Sequence, residues 1–155
     1  MKRVPLGQVL SATAVVLSLV FVGYELRQNA AVARGAAYQA FVTELNDIYS
    51  VMNSDDEYLE MSMRIFSSED PGRAEFERPD RFKLTINLLA TLRLYESLYL
   101  QVEEGVLPPE SLRLMSGSDW DNRFTLETWP NIRRNFGDGF VEHFEEVSGF
   151  SEIDP

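Results

Sequence analysis

The only histidine is the first residue whose chemistry could mark a functional site. His143 lies in the string Glu142-His143-Phe144-Glu145-Glu146, so Glu146 follows it three residues later on a segment with helical periodicity. A histidine and a glutamate at this spacing could share a metal ion. Zinc usually takes more nitrogen or sulfur ligands, however, and the paired Glu-x-x-His motifs of di-metal bundles are absent from the sequence. We therefore predict no metal site and a solvent-facing histidine on an acidic helix.

Nucleophilic and cofactor-dependent chemistry has little support in the sequence. There is no cysteine, which excludes thiolate nucleophiles and disulfides. The string Gly117-Ser118-Asp119 lacks the G-x-S-x-G elbow, and a Ser–Lys dyad could draw only on Lys2 and Lys83. No phosphate-binding loop or EF-hand spacing is present, because Asp119-Trp120-Asp121-Asn122 resembles a calcium loop only in composition. These patterns favour a non-catalytic protein without a cofactor.

Two further kinds of site could be built from carboxylates and from aromatic residues, an acid–base catalytic site and a ligand pocket. With 25 acids, two carboxylates will lie close together by chance, and acid–base catalysis would need a cleft that separates their pKa values. Glu96 lies within an apolar helix, and we predict an edge position for its carboxylate rather than burial, which would disfavour a charged group. Four large aromatics could line a ligand pocket, but at helical spacing we predict them in the core: Tyr95, Tyr99, Trp120 and Trp129.

The charge is divided unevenly along the chain. Residues 1–34 carry four basic residues and one acid, a net charge of +3, whereas residues 35–155 carry ten basic and 24 acidic residues, a net charge of −14. Such an acidic domain repels nucleic acid and anionic membrane surfaces. We therefore divide the chain into an anchor with its exit helix, 1–34, and an acidic domain, 35–155, and we predict no nucleic-acid partner.

The anchor is predicted from an uncharged segment. Residues 4–24 contain no charged side chain, and 21 helical residues span about 30 Å, the thickness of the hydrocarbon core. A cleaved signal peptide is the alternative, since Lys2 and Arg3 give a charged start. Its best cleavage pattern, Ala31-Val32-Ala33, follows too long a polar stretch. The basic residues favour an N-terminus in the cytoplasm and a domain outside.

Two groups of residues in the anchor predict contacts. Tyr24 and Arg27 lie at the predicted membrane exit, where an aromatic ring and a snorkelling arginine anchor a helix at the interface. Arg27 could also contact a partner or lipid headgroups. Small residues follow a 4-3-4 spacing on one side of the span, which allows close packing of another helix: Gly7, Ser11, Ala14 and Ser18. Small residues are also common in any membrane helix.

The acidic domain has helical periodicity throughout. We predict that the anchor helix continues to Met52 and that Asn53-Ser54-Asp55 ends it and caps a second helix, 55–66, with Leu59 and Phe66 among its buried residues. A third helix, 79–104, has an apolar stripe broad enough for a central helix. Phe82 and Ile86 widen this stripe, and the helix ends at Gly105.

A fourth helix is predicted after Pro108-Pro109, with a bend near 116–118 and a break at Trp129-Pro130. The last helical segment, 131–147, could split at Gly137 and Gly139. The predicted fold is all-α, with a transmembrane helix leading into an antiparallel bundle of four to five helices.

Two blocks of the sequence resemble a known type of protein. The string LSLVFVGYELRQNAAVAR at the membrane exit and the string NLLATLRLYESLYLQVEEGVLPPE in the third helix are similar to those of an uncharacterised family of short bacterial proteins. Its members have one apolar span, an LFVGxELRQN-like string and a helical domain. The resemblance implies a bacterial membrane protein, and it implies no activity or functional residue. We predict that the single span lies in the inner membrane.

Three functions remain open at this point. We predict an accessory or structural subunit of a larger membrane complex, with other transmembrane helices, the lipid bilayer and a second copy of the chain as candidate partners. A membrane-tethered sensor or ligand-binding module is the alternative, and a pocket lined by Trp120, Trp129 or Tyr99 would favour it. A carboxylate-based enzyme is the third.

Overall fold

The structure, a computed structural model, describes residues 6–67, 69–115 and 120–150. The chain divides into two compact units, Met1–Tyr38 and Gln39–Pro155. Every regular element in the described ranges is a helix, and none is a strand. The predicted all-α fold is therefore confirmed.

The first unit consists of the beginning of helix α1, Leu6–Asn53. Every described side chain from Leu10 to Ala36 is exposed, including the large apolar side chains from Leu10 to Leu26. Within the described part of the chain, α1 is the helix long and apolar enough to cross a membrane, and it lies near the N-terminus.

The second unit begins within α1, which ends where the sequence predicted. Helix α2, Asp56–Ile65, follows after two residues, and the Asp55 carboxylate accepts a hydrogen bond from the Tyr58 backbone N–H at 3.0 Å. Asp55 also pairs with Lys83, and the hydrogen bond from this ammonium group holds the pKa of the carboxyl below its usual value. The predicted helix stop and cap are both confirmed.

Helix α3, Arg78–Glu103, is the central element of the second unit. It contacts α2, the 3₁₀ turn Pro109–Leu114, α4 (Arg123–Ile132) and α5 (Asp138–Ser148). Gly105 follows its end with φ +70°, a left-handed conformation that glycine adopts without a Cβ clash. The predicted central helix and its glycine stop are confirmed, although Pro79 occupies the second helical position rather than the first.

Four predicted core residues are exposed. Phe82 and Ile86 lie on a face of α3 that its neighbours leave uncovered, and Phe82 is 68% exposed. Leu59 and Phe66, predicted as buried residues of the second helix, are also exposed. Helical periodicity places apolar residues on a face, but neighbouring elements decide how much of that face they cover.

The second half of the domain has shorter helices than predicted. The prediction of a single fourth helix was wrong, because Pro109–Leu114 is a separate 3₁₀ turn and α4 begins only at Arg123. The predicted bend at 116–118 lies outside the described residues. Pro130 lies within α4 instead of breaking it, since its missing N–H removes only one bond near the end of the helix. Helix α5 begins after Gly137, as predicted, and Gly139 lies inside it.

Two groups of buried residues form the core. Helices α2, α3 and α4 bury one group together with a loop residue: Tyr58, Met61, Ile65, Phe76, Leu84 and Phe124. The other group is almost entirely aromatic and surrounds Tyr95 of α3, whose ring is 5.3 Å from Phe140 and 6.2 Å from Trp120, centroid to centroid. The aromatic residues therefore lie mainly in the core, as predicted, with Tyr95 fully buried.

Candidate functional site

A cavity of about 330 Å³ lies beside the first core group, within the second unit. Its wall comes from the end of α1, from α2, α3 and α4, and from the segment between α3 and α4. Leu84, Leu88 and Thr91 are spaced along one side of α3, so the central helix supplies one wall. Trp120 supplies part of another, and its indole N–H donates to the Met115 carbonyl oxygen at 2.6 Å. Ligand pockets commonly measure about 300–1,000 Å³, so this cavity has room for a small molecule.

The cavity wall is mostly apolar and, among its described residues, contains no carboxylate, imidazole, amine or guanidinium group. Its aliphatic, aromatic and thioether side chains include Met52, Ile65, Leu88 and Trp120. None of the described lining residues is Asp, Glu, His, Lys or Arg. Such a wall suits an uncharged, largely apolar ligand, because transfer of a charge into it would carry a large desolvation cost.

A few polar groups interrupt this apolar wall. The Ser62 hydroxyl is buried, and its Oγ atom lies near the Tyr58 hydroxyl without meeting the full geometry of a hydrogen bond. Burial raises the pKa of the neighbouring Tyr58, an effect that the nearby Ser62 hydroxyl partly opposes. Asn87 donates its amide to the Lys83 carbonyl at 3.0 Å, which leaves its side-chain oxygen as a further acceptor. The Ser62 hydroxyl and the Asn87 side-chain oxygen therefore offer polar contacts to a bound ligand that carries one polar atom.

The four predicted aromatic residues do not share this site. Trp120 lines the cavity, whereas Tyr95, Tyr99 and Trp129 do not. Trp129 is buried and donates its indole N–H to Glu145 at 2.8 Å. The prediction of a core role therefore holds for Trp129, while Trp120 combines a core position with a cavity wall.

The sequence predicted a solvent-facing His143, but the histidine is partly buried. Its Nε2 atom lies 3.0 Å from the Tyr95 hydroxyl, and its ring stacks on Tyr99 at 5.0 Å between centroids. Burial lowers the pKa of His143, against the opposing charges of Glu146 and Glu103. No cluster of three metal-binding side chains occurs among the described residues. The prediction failed because α5 turns this side of its acidic surface toward α3.

Glu96 is also buried, so its predicted edge position was wrong. One carboxylate oxygen accepts a hydrogen bond from Arg93 at 2.7 Å, and the other accepts the Gly137 backbone N–H at 2.7 Å. The Arg93 guanidinium also lies 5.0 Å above the Phe136 ring. Glu96 thus joins α3 to the start of α5, a role for which the sequence carries no local signal.

The predicted membrane contacts lie on α1 with exposed side chains. Ser11, Ala14 and Ser18 are exposed, as is Gly7, and the Ser18 hydroxyl donates to the Ala14 carbonyl at 2.9 Å. This bond satisfies the hydroxyl within the helix, as a lipid environment requires. Tyr24 and Arg27 are exposed on the same helix.

Comparison with known proteins gives no identification. The chain matches no known protein family, no curated protein and no solved structure. The resemblance to the short bacterial membrane proteins remains a prediction from the two sequence blocks.

Proposed function

We propose that this protein is a membrane-tethered, non-catalytic ligand-binding module. The first part of α1 anchors it in a bacterial inner membrane as a single span, with the acidic domain in the periplasm. The domain holds a small, uncharged and largely apolar ligand in the cavity beside Trp120. Binding rather than catalysis is proposed because the described wall offers no acid, base or nucleophile for proton transfer beyond hydroxyl groups.

The cavity itself is the observation that carries this proposal. It has the size of a small-molecule pocket, its wall is mostly apolar, and the buried Ser62 hydroxyl and the Asn87 side-chain oxygen supply a few polar groups within that wall. The cavity is partly open to solvent, so a small molecule can enter it and pack against the core residues that line it.

The test compares two leucines that are neighbours in the sequence of α3. Leu88 lines the cavity and Leu89 does not, although both are partly buried. Leu88→Trp should fill the cavity, whereas Leu89→Trp makes the same change outside it. The full chain and both variants are purified from membranes in mild detergent, and small molecules are extracted with organic solvent and quantified by mass spectrometry.

We expect one compound near 1:1 with the wild-type chain and with Leu89→Trp, and its loss from Leu88→Trp. Thermal unfolding of each sample verifies that the variants remain folded. The proposal would be overturned if no compound were enriched in the wild type, or if all three proteins retained the same compound equally.

An accessory subunit of a membrane complex is the second candidate function. Its supporting observation is the exposed apolar surface of α1, on which the small residues Gly7, Ser11, Ala14 and Ser18 share one side. In lipid, such a surface allows close packing with another transmembrane helix, from a different subunit or a second copy of the chain. Under this function, Arg27 would contact the partner at the interface.

A further inference from the structure

The ten basic residues of the acidic domain are used in two different ways. Five of them pair with a carboxylate within 4.0 Å: Arg64, Lys83, Arg93, Arg123 and Arg133. The other five form no ion pair with any described residue: Arg73, Arg78, Arg81, Arg113 and Arg134. In a domain with 24 acids, an unpaired arginine is unexpected, so where these five lie is informative.

Three of the five unpaired arginines line one open cleft. Arg73, Arg78 and Arg81 surround it together with Pro79, Phe82 and Thr85, and its volume is about 510 Å³. We call it the arginine cleft. It contains no carboxylate among its described lining residues, and it is separate from the apolar cavity, with which it shares no lining residue.

Two acids near Arg73 are engaged elsewhere, and Glu77 and Asp80, which adjoin Arg78 and Arg81 in the sequence, do not line the cleft. The Glu75 carboxylate accepts hydrogen bonds from Arg123 and from the Gly72 backbone N–H. Glu127 pairs with Arg123 and accepts the Arg73 backbone N–H at 2.7 Å, so it binds the main chain of Arg73 and not its guanidinium. The local structure therefore holds Arg73 in place through its backbone and leaves its side-chain charge without a partner.

Arg73 also carries a buried donor without an acceptor. Its Nε atom is inaccessible to solvent and has no hydrogen-bond partner. An unsatisfied donor on a charged group costs more free energy than one on a neutral group. The buried Nε atom cannot itself be reached from the open cleft, but an anion there would place a negative charge beside the three arginines that line it.

We propose that the arginine cleft binds a phosphate group carried by an organic molecule. Guanidinium groups bind phosphate through paired N–H donors in a planar fork, and three of them can contact the oxygens of one phosphate. Phe82, with most of its ring exposed, places an apolar surface beside the charge for the organic part of the ligand. A phospholipid headgroup and a soluble phosphate compound share this chemistry.

The test measures thermal unfolding of the full chain in a neutral detergent at constant ionic strength. Three probes are added separately: inorganic phosphate, a short-chain phosphatidylglycerol and a short-chain phosphatidylcholine. The cleft variant is Arg78→Gln with Arg81→Gln. The control variant, Arg113→Gln with Arg134→Gln, removes two unpaired charges outside the cleft.

At about ten times its dissociation constant, a probe that binds the folded domain should raise Tm by roughly 3–6 °C. We expect this rise in Tm, with a probe that binds the cleft, in the wild type and in the control variant. The cleft variant should not show it. A shift with inorganic phosphate indicates a soluble ligand, and a shift with phosphatidylglycerol alone indicates a lipid headgroup. No shift with any probe, or equal shifts in both variants, would overturn the proposal.

Discussion

Glu96 shows how a single buried carboxylate organises the junction between two helices. Its two oxygens bind different elements, the Arg93 side chain on α3 and the Gly137 backbone N–H that precedes α5. Arg93 in turn covers the Phe136 ring, so the carboxylate also fixes an aromatic contact. This arrangement satisfies one of the backbone donors that the start of α5 would otherwise leave without a partner.

Replacing this carboxylate with an amide tests its contribution to stability. Glu96→Gln keeps the shape of the side chain but removes its charge, and its amide nitrogen cannot accept one of the two hydrogen bonds. We expect a loss of about 1–3 kcal/mol in the free energy of unfolding, measured by urea unfolding of the full chain in detergent. Glu104→Gln, at an exposed carboxylate without an ion pair, should change it little. Equal losses in both variants would contradict the role of Glu96.

The His143 contact predicts a specific dependence of stability on pH. Burial places the folded pKa of His143 below its ordinary value of 6.5, so between these two values the unfolded chain binds more protons than the folded one. The histidine's contribution is therefore fully present above pH 6.5 and is lost as the pH falls through the folded pKa. The groups facing it are Tyr95, Tyr99 and Glu103 on α3 and Glu146 on its own helix.

Thermal unfolding between pH 5.5 and 8 measures this dependence. Tm of the wild type should fall below pH 6.5 more steeply than Tm of His143→Gln, which cannot titrate at this position. The carboxylates are the same in both proteins, so the difference between the two curves of Tm against pH gives the contribution of His143. Parallel curves would show that the contact does not oppose protonation of His143.

At the scale of elements, the cap of α4 carries a separate prediction. The Asn122 side-chain oxygen accepts the Thr125 backbone N–H at 2.8 Å, which satisfies one free donor of the first turn. Asn122→Ala should lower the free energy of unfolding by about 1 kcal/mol, while Asn122→Asp retains the acceptor and should restore most of it. Chemical unfolding of the full chain measures both. If aspartate were as destabilising as alanine, the side chain would not act as a cap.

The proposed packing of another helix on the small-residue side of α1 can be tested by adding bulky side chains to that side. Ser11→Leu with Ala14→Leu places two bulky side chains where we propose that another helix packs, and it should weaken association. Ala12→Leu with Val16→Leu adds bulk on the opposite side of the helix, according to a 100° rotation per residue, and should leave association unchanged. Native sizing of membrane extracts measures the assembly. Unchanged assembly in the first variant would contradict the packing proposal.

Helix ends were easier to predict than helix faces. The stop at Asn53, the cap at Asp55 and the left-handed glycine at Gly105 depend on local backbone chemistry, which the sequence carries in a few adjacent residues. The exposure of Phe82 and the burial of Glu96 depend on which elements pack against α3. That information lies in contacts between residues far apart in the chain.

The candidate sites were less predictable than the fold for the same reason. Trp120 was a candidate pocket residue, but Ser62, Asn87 and Thr91 carry no motif, and four helices and the segment between α3 and α4 bring the lining residues together. In the arginine cleft, Arg73 precedes α3 by five residues and Arg81 lies in its first turn. An unpaired charge can be recognised only after the ion pairs of the other arginines are known.

The whole molecule combines two units of opposite character. The first unit exposes the apolar side chains of α1, and the second buries aromatic groups and carries a net charge of −14 over residues 35–155. An acidic surface does not favour insertion of the domain into an anionic membrane. We therefore expect the domain to remain in water while α1 alone crosses the bilayer.

The absence of cysteine makes this arrangement directly measurable. Single cysteines are introduced as Lys2→Cys and Glu104→Cys, one on each side of the proposed span, and the cells are treated with a membrane-impermeant maleimide. Labelling is measured in cells with a permeabilised outer membrane and again after the inner membrane is disrupted.

We predict that Glu104→Cys is labelled while the inner membrane is intact and that Lys2→Cys is labelled only after its disruption. The reverse pattern would retain the single span and overturn the periplasmic placement of the domain. Labelling of both cysteines with the inner membrane intact, or of neither, would contradict the proposal that α1 carries the chain across the membrane.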